Sequence, residues 1–265
     1  MLEFFSNITP SSFHLWHLPV IFLTGMIAEG YAVVVGGGGI LIQFVLASFG
    51  LPLPVVVATD LGGVLGADLG VMSASPRSIW SNKKLIWLVT LPFFVGSIFG
   101  SIFLIKISAT LLSYLLIAAL IFLILYMLVG KNHEPKNLDE LRVTLKQYPL
   151  LGSIMGVLGL YTNISGVGSG TFMKVAFVSL LRMKAVEGIG VSSIVYLPAT
   201  FVSIGITAFA GLLVWPYVIT LWFGTFVGAY FVATHIQKIP DIYLRNFLIF
   251  VAFLYLIYLI WNTLT

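Results

Sequence analysis

The sequence has no cysteine and only a small share of charged residues. Cysteine is absent from all 265 positions, which excludes disulfide bonds, thiolate metal sites and thiol chemistry. Charged residues make up 8% of the chain, whereas a soluble domain is roughly a quarter charged. Apolar runs such as residues 111–130 also lack the polar–apolar alternation of membrane β-barrel strands. These deficits exclude an ordinary soluble domain and favour helices over a barrel.

Hydrophobic residues are what the sequence has in abundance. They form 60% of the chain, and the mean hydropathy is +1.10. Apolar runs of about twenty residues recur, and each is long enough to cross a hydrocarbon core of roughly 30 Å at 1.5 Å per residue. Full membrane spans are predicted over residues 54–75, 84–106, 108–130, 185–210, 213–236 and 240–262.

Two further apolar segments, residues 19–50 and 149–183, do not fit one straight helix. Glycine clusters interrupt them, GGGG at 36–39 and GVGSG at 166–170. Each broken segment precedes three of the predicted full spans, so the chain reads as two copies of one unit. The prediction is an all-α polytopic membrane protein of about eight membrane segments, with re-entrant or broken helices after the glycine cluster of each half.

The hydrophilic stretch 131–149 separates a first repeat, residues 1–130, from a second, residues 150–265. If this linker is cytoplasmic, every basic residue except Lys106 and Lys174 falls on the cytoplasmic side, as the positive-inside rule requires. The net charge of +4 is explained by these loops without a nucleic-acid partner. Each half then crosses an odd number of times, which predicts an inverted-topology repeat in the cytoplasmic membrane with both termini extracytoplasmic.

The glycine breaks have the geometry of a binding site in the membrane. Gly39 lies 11 residues before Gly50, about 17 Å of helix, which places it near the bilayer midplane. Gly170 lies 12 residues before Arg182, about 18 Å of helix measured from the opposite face of the membrane. Two half-helices would therefore point their N-termini at each other, an arrangement that favours an anion. The alternative is that the glycines only permit close helix packing, as is expected for the small residues of 94–103 and 225–233.

Charged and long polar side chains occur inside the apolar segments. Asp60, Asp68, Glu29 and Lys174 are placed where a bare charge costs roughly 2.5–3.5 kcal/mol. Gln43 and Lys174 each follow a glycine break by four residues. A bound anion would relieve the unfavourable position of a lysine near a helix N-terminus. Lys174 in a structural ion pair with Asp60 or Asp68 is an equal alternative, and Asp60 is a candidate proton acceptor.

Catalytic chemistry has little support. His14 and His17 have a spacing found in metal ligands, but without a third ligand they are expected to be interfacial residues. The predicted spans contain no nucleophile–base pair and no metal cluster. The chain is therefore expected to be no enzyme and to need no cofactor.

The two broken segments resemble the TauE/SafE family of sulfite and organosulfonate transporters. The resemblance rests on GGGGILIQFVLASFGLPLPVVVATD (36–60) and GVGSGTFMKVAFVSLLRMKAVEGIGVSS (166–193), and with chain length and linker it covers nearly the whole chain. It implies a cytoplasmic-membrane protein that moves sulfite, sulfoacetate or related sulfonates, often outward. The motif positions are Gly36, Gly37, Gly38, Gly39, Ala58, Thr59, Gly166, Gly168, Gly170, Ser192 and Ser193.

The chain departs from the family pattern in two places. Family members usually have a proline a few residues after the glycines, where this chain has Gln43 and Lys174. Where a serine commonly follows Ala-Thr, this chain has Asp60. A carboxylate there would repel an anion unless it is protonated or paired with Lys174.

The sequence is interpreted as a secondary transporter of a small sulfur-containing anion, working by proton-coupled export and alternating access in the lipid bilayer. Alternatives are an anion channel, a carrier of another organic anion or of a neutral or cationic solute, and a membrane-embedded enzyme or assembly factor. Asp60, Asp68 and Glu29 are the proton-coupling candidates. The predicted substrate-binding residues are Gly36, Gly37, Gly38, Gly39, Gln43, Thr59, Gly166, Gly168, Ser169, Gly170, Lys174, Ser192 and Ser193.

Overall fold

The chain folds into helices that pack as one membrane bundle. The computed structural model describes residues 14–75, 77–129, 148–177, 183, 185–235 and 241–264, and within these ranges it contains no β-strand. The first half comprises α1 (His17–Val35), α2 (Gly38–Ser48), α3 (Leu53–Gly63), α4 (Leu65–Ala74), a 3-10 turn (Arg77–Trp80), α5 (Lys83–Lys106) and α6 (Ala109–Val129). The second half comprises α7 (Tyr148–Ser165), α8 (Ser169–Val175), α9 (Ala185–Phe209), α10 (Trp215–His235) and α11 (Asp241–Leu264).

Several of these helices have the length and hydropathy of membrane spans. Helices α3 and α4 form one span, because the N–H of Val64 still donates to the carbonyl of Asp60 across their junction. The predicted spans 108–130 and 240–262 correspond to α6 and α11, whose side chains are described only in part. The protein is a multi-pass helical membrane protein. Five segments qualify within the described residues: His17–Val34, Leu53–Ala74, Lys83–Lys106, Glu187–Phe209 and Trp215–His235.

The first broken segment has a long first arm. Helix α1 has 19 residues and is long and apolar enough to cross a bilayer alone. Helix α2 returns beside the first part of α1. The ring of His17 stacks on Phe49 with centroids 4.0 Å apart, and a Cβ atom at Gly38 would lie 3.0 Å from the carbonyl oxygen of Ala28. Helix α1 therefore runs about seven residues, roughly 10 Å, beyond the tip of α2.

The two ends of the bundle are distinct. One end, called here the His17 end, carries His17, Phe49 and Tyr217 in mutual contact. His17 is buried there among aromatic rings, because Phe49 and Tyr217 cover its imidazole. Thr263 reaches Ser113 near the start of α6, so both ends of the described chain lie on this side.

The opposite end, called here the Lys83 end, carries the junctions between helices that include basic residues. A Cβ atom at Gly190, near the start of α9, would lie 2.9 Å from the hydroxyl of Ser75 after α4. Lys84 at the start of α5 lies 5.6 Å from the ring centroid of Tyr148, where α7 begins. The starts of α5, α7 and α9 therefore share one end with the end of α4.

Glycines bring the two halves into backbone contact along two helix pairs. Helix α5 packs on α7, where a Cβ atom at Gly96 would lie 2.9 Å from the carbonyl carbon of Gly156. Helix α10 packs on α1, where a Cβ atom at Gly228 would lie 2.7 Å from the carbonyl carbon of Met26. The first helix of each half thus packs on a glycine-bearing helix of the other. The expected packing role of residues 94–103 and 225–233 agrees with these contacts.

The close approach of α5 and α7 predicts that Gly96→Ala destabilises the protein. The added methyl group would overlap the backbone of Gly156, and overpacking of this kind costs about 1–3 kcal/mol. Gly205→Ala in α9 is the matched control, because a Cβ atom there meets no atom within 4 Å and alanine favours a helix over glycine by about 0.5–1 kcal/mol. Thermal unfolding in detergent checks the pair. Equal unfolding temperatures for the two variants would contradict this account of the interface.

Candidate functional site

The two glycine breaks meet in the interior of the bundle. A Cβ atom at Gly36 would lie 2.7 Å from the carbonyl carbon of Gly170 and would clash with the backbone nitrogen of Thr171. A Cβ atom at Gly39 would lie 3.3 Å from the carbonyl oxygen of Gly166. The structure therefore brings the two glycine breaks together: the end of α1 meets the start of α8, and the first turn of α2 meets the end of α7.

Both breaks begin with a glycine in a conformation that L side chains rarely adopt. Helix α1 ends at Gly36 with φ +86°, and helix α7 ends at Gly166 with φ +66°. The N–H of each glycine still donates to the carbonyl four residues earlier, that of Ala32 or Thr162. The left-handed backbone then turns the chain away from the helix axis, and this turn requires glycine.

A tyrosine stabilises each break in the same way. The hydroxyl of Tyr31 donates to the carbonyl of Gly37 at 3.2 Å, and the hydroxyl of Tyr161 donates to the carbonyl of Val167 at 2.6 Å. Each tyrosine lies five residues before the glycine that ends its helix. This Tyr-x4-Gly spacing is a repeat signal that the sequence analysis missed.

A cavity of about 100 Å³ lies beside the contact between the breaks. Helices α1, α2, α3, α4, α7, α8 and α9 contribute its walls. Most of the predicted site residues line it: Glu29, Gly36, Gly37, Gly38, Gly39, Asp60, Asp68, Gly166, Ser169, Gly170, Ser192 and Ser193. Five polar residues of the lining were not predicted from the sequence: Thr162, Asn163, Tyr196, Thr200 and Ser203.

The spacing on α9 explains part of that miss. Ser192, Tyr196, Thr200 and Ser203 follow one another at steps of four, four and three residues, which places them on one face of the helix. Polar residues at this spacing in an apolar run predict one polar helix face, and this could have been recognised from the sequence. Thr162 and Asn163 precede Gly166 within the last turn of α7, so the break itself points to them.

Carboxylates of the protein occupy the space that the glycines leave. Oδ2 of Asp60 lies 2.6 Å from the position of a Cβ atom at Gly39 and 3.0 Å from that at Gly166. The carboxyl carbon of Glu29 lies 2.8 Å from the position of a Cβ atom at Gly38. The start of a helix favours negative charge, so the tip of α2 already faces the protein's own acids.

Asp60 is buried with only part of its hydrogen-bonding capacity used. Oδ2 accepts a hydrogen bond from the side-chain amide of Gln43 at 2.8 Å. Oδ1 has no hydrogen-bond partner among the described residues, and neither have the hydroxyls of Thr162 and Tyr196. A buried polar group without a partner costs about 1–3 kcal/mol, so these three oxygens mark the cavity wall as a place where a bound molecule is stabilising.

Asp68 lies further along the same wall, towards the Lys83 end. Its Oδ2 accepts a hydrogen bond from the hydroxyl of Thr200 on α9 at 3.1 Å. The hydroxyls of Ser192 and Ser193 donate to the carbonyl of Ile189 in their own helix. Both serines can turn a lone pair to the cavity while keeping that bond.

Gln43 and Thr59, predicted as substrate ligands, are not in the cavity lining. Gln43 is fully buried, and its Nε2 donates to Asp60 and, at 2.7 Å, to the carbonyl of Ser165 at the end of α7. Thr59 accepts the N–H of Val214 at 3.3 Å and so holds the segment before α10. Both residues connect the two halves, because Gln43 binds Ser165 and Thr59 binds Val214 in the other half of the chain.

The remaining predicted ligands have other positions. Gly168 is the residue before α8 and is outside the lining. Lys174 belongs to α8, and its side chain lies outside the described part of the structure, so its pairing with an aspartate stays a prediction. In the described ranges, no group of three or more histidine, aspartate or glutamate residues is placed to hold a metal ion.

The cavity extends from the breaks towards the Lys83 end. Val33 near the end of α1, Val71 on α4 and Ile189 near the start of α9 are part of its wall. On the other side, towards the His17 end, the buried side chains of Val57 and Val218 belong to one packed apolar cluster. Val33, Val71 and Ile189 are also buried members of one apolar cluster, so apolar side chains cover the cavity towards both ends of the bundle.

Comparison with known proteins places the chain among membrane transporters. The model of the family described as "Sulfite exporter TauE/SafE" matches residues 21–259. A "Probable membrane transporter protein" of Haemophilus influenzae is 24% identical over 242 residues, which cover 89% of this chain and 92% of that protein.

Two further relatives have similar names and coverage. The "Probable membrane transporter protein YdhB" of Bacillus subtilis is 26% identical over 86% of this chain and 92% of its own length. The "Probable membrane transporter protein YfcA" of Escherichia coli K12 is 26% identical over 80% of this chain and 78% of its own. No solved structure matches the chain significantly.

The contact between the breaks predicts different effects for two neighbouring glycines. Gly36→Ala places a methyl group against the second break at a left-handed φ, which costs about 1–3 kcal/mol or more of unfolding free energy. Gly170→Ala is the control, because its Cβ atom would have its nearest neighbour at 3.5 Å. Thermal unfolding and monodispersity in detergent distinguish the two. A Gly36→Ala protein as stable as Gly170→Ala would show that the breaks do not pack in this way.

Proposed function

The chain belongs to the sulfite exporter TauE/SafE family, and from that premise we propose that it is a secondary transporter of a small sulfur-containing anion. The substrates proposed are sulfite, sulfoacetate or a related sulfonate, carried across the cytoplasmic membrane. The observation that carries this proposal is the cavity bounded by both glycine breaks. The relatives of this chain are named as probable membrane transporters.

The cavity offers a small oxyanion hydrogen-bond donors from both halves. The first turn of α2 contributes the backbone at Gly38 and Gly39, and the hydroxyl of Tyr196 lies on the wall that α9 forms. First-turn N–H groups have no partner within their own helix. A volume of about 100 Å³ has room for several water molecules and so for a solute of a few non-hydrogen atoms.

We assign alternating access to the apolar layers on the two sides of the cavity. The positive-inside rule assigns the Lys83 end to the cytoplasm. Val57, Tyr217 and Val218 cover the cavity towards the His17 end, and Val33, Val71 and Ile189 cover it towards the Lys83 end. In an inverted repeat that works by alternating access, the protein would separate one of these layers at a time.

Proton coupling is assigned to Asp60, with Asp68 and Glu29 as neighbouring acids. All three side chains line the cavity and are at least nine-tenths buried. Asp60 is the leading candidate because it touches both glycine breaks. The protonation state of Asp60 therefore changes the charge next to a substrate that binds at the breaks.

A second candidate function is the transport of a cationic or neutral solute. The specific observation in its favour is that three acidic residues, Glu29, Asp60 and Asp68, line the cavity. An anion channel is a further alternative, which shares the site but not a saturable exchange.

Counterflow in proteoliposomes tests these functions against one another. We expect labelled sulfite to enter vesicles preloaded with unlabelled sulfite, and the rate to saturate with external concentration. Unfolding temperatures should rise with sulfite or methanesulfonate and stay unchanged with choline. Stabilisation and counterflow by choline alone would favour the cation carrier, and flux of sulfite without saturation or exchange would favour a channel.

A further inference from the structure

We propose that the transported anion and a proton on Asp60 occupy the cavity together, so that anion and proton move in the same direction. This inference rests on the proposed function of the cavity as an anion site. It adds the sign of the coupling, because an antiporter would bind the anion and the proton in alternation.

The position of Asp60 makes separate binding unfavourable. Its Oδ2 packs against the backbone of Gly39 in the first turn of α2 and of Gly166 at the second break. An oxyanion that accepts hydrogen bonds from that first turn would lie next to this carboxyl group. Two like charges about 4 Å apart, at an effective dielectric constant of about 20, lower affinity by about a thousandfold.

A neutral Asp60 turns the same neighbour into a ligand. Oδ2 is held by the amide of Gln43, which is oriented in turn by its second bond to the carbonyl of Ser165. Oδ1 has no partner among the described residues and is therefore the oxygen available for the proton. A protonated carboxyl has one O–H to donate, so an anion in the cavity can accept a hydrogen bond from Oδ1.

The charges balance in this step. The empty site carries the negative charge of the Asp60 carboxylate. When a monovalent anion enters, one proton from water binds to that carboxylate, and the negative charge is then that of the anion. The site has the same net charge before and after loading, so no added charge has to be buried in the membrane interior.

The other groups around Asp60 are acidic or neutral in the described residues. None of them supplies a positive charge to hold a second anion beside an ionised Asp60. The side chain of Lys174 lies outside the described residues, so its contribution is a matter for the experiment. The titratable and polar groups that face Asp60 or its wall of the cavity are Glu29 and Tyr31 on α1, Gln43 on α2, Asp68 on α4, Tyr196 on α9 and Tyr255 on α11.

The direction of driven transport follows from the sign. A proton gradient that is acid outside drives anion and proton inward together. Export then requires an outward anion gradient that exceeds the opposing proton gradient. A transporter of this type empties the cytoplasm only while the anion accumulates there.

Proton uptake on binding is the direct test. Purified protein is titrated with methanesulfonate, whose sulfonate group does not titrate, by calorimetry in two buffers of different ionisation enthalpy. The wild type should take up close to one proton per bound anion, and its affinity should fall about tenfold per pH unit once Asp60 ionises. Asp60→Asn, which keeps an acceptor for Gln43, should bind without proton uptake and without this pH dependence.

A control variant and the other possible outcomes each test the joint binding of anion and proton. Glu187→Gln replaces a carboxylate outside the cavity lining and should retain the proton uptake of the wild type.

Binding to wild type with no proton uptake, or with proton release, overturns the inference and leaves the proposed function standing. Uptake lost in Asp68→Asn but kept in Asp60→Asn, or present only in Lys174→Gln, also overturns it. Failure of both methanesulfonate and sulfite to bind overturns the proposed function itself. If Asp60→Asn does not fold, the pH dependence of wild-type affinity decides alone.

Discussion

The contact between two backbones at the glycine breaks is the constraint on which the rest of the structure depends. Gly36 meets Gly170 and Thr171 without space for a methyl group. For the tips to meet, α1 and α7 must end at left-handed glycines, and each must pack closely on a glycine-bearing helix of the other half. The cavity lies beside that contact and is bounded by both breaks.

The same contact brings helix starts, carboxyl groups and hydroxyl groups close together. Helix starts favour negative charge, and the first half supplies it through Glu29 and Asp60. The second half contributes hydroxyls instead, including Thr162 and Tyr196. The two halves are alike in backbone but unlike in chemistry. Under the proposed function, an ionised Asp60 would repel an anion in the cavity, whereas a protonated Asp60 would donate a hydrogen bond to it.

The glycine breaks and the apolar spans could be predicted from the sequence, because glycine runs and long apolar segments are local signals. Asp60 and Asp68 could also be recognised as site candidates, because a charged residue in an apolar run is conspicuous. Hydropathy could not show that α1 continues past the tip of α2, because only the packing of the two helices places Gly38 beside Ala28. Gln43 and Thr59 were assigned to the substrate, but their partners, Ser165 and Val214, lie more than 100 residues away in sequence and only the packing of the halves reveals them.

Cysteine accessibility tests most directly whether the cavity between the breaks holds the anion and opens at the Lys83 end. The chain has no cysteine, so Ser193→Cys in the cavity wall and Ser48→Cys at the His17 end each give a single thiol. A membrane-impermeant maleimide should label Ser193→Cys from the cytoplasmic face, and methanesulfonate should slow that labelling while leaving Ser48→Cys unaffected. Labelling of Ser193→Cys that is absent from that face, or that methanesulfonate does not slow, would contradict the account.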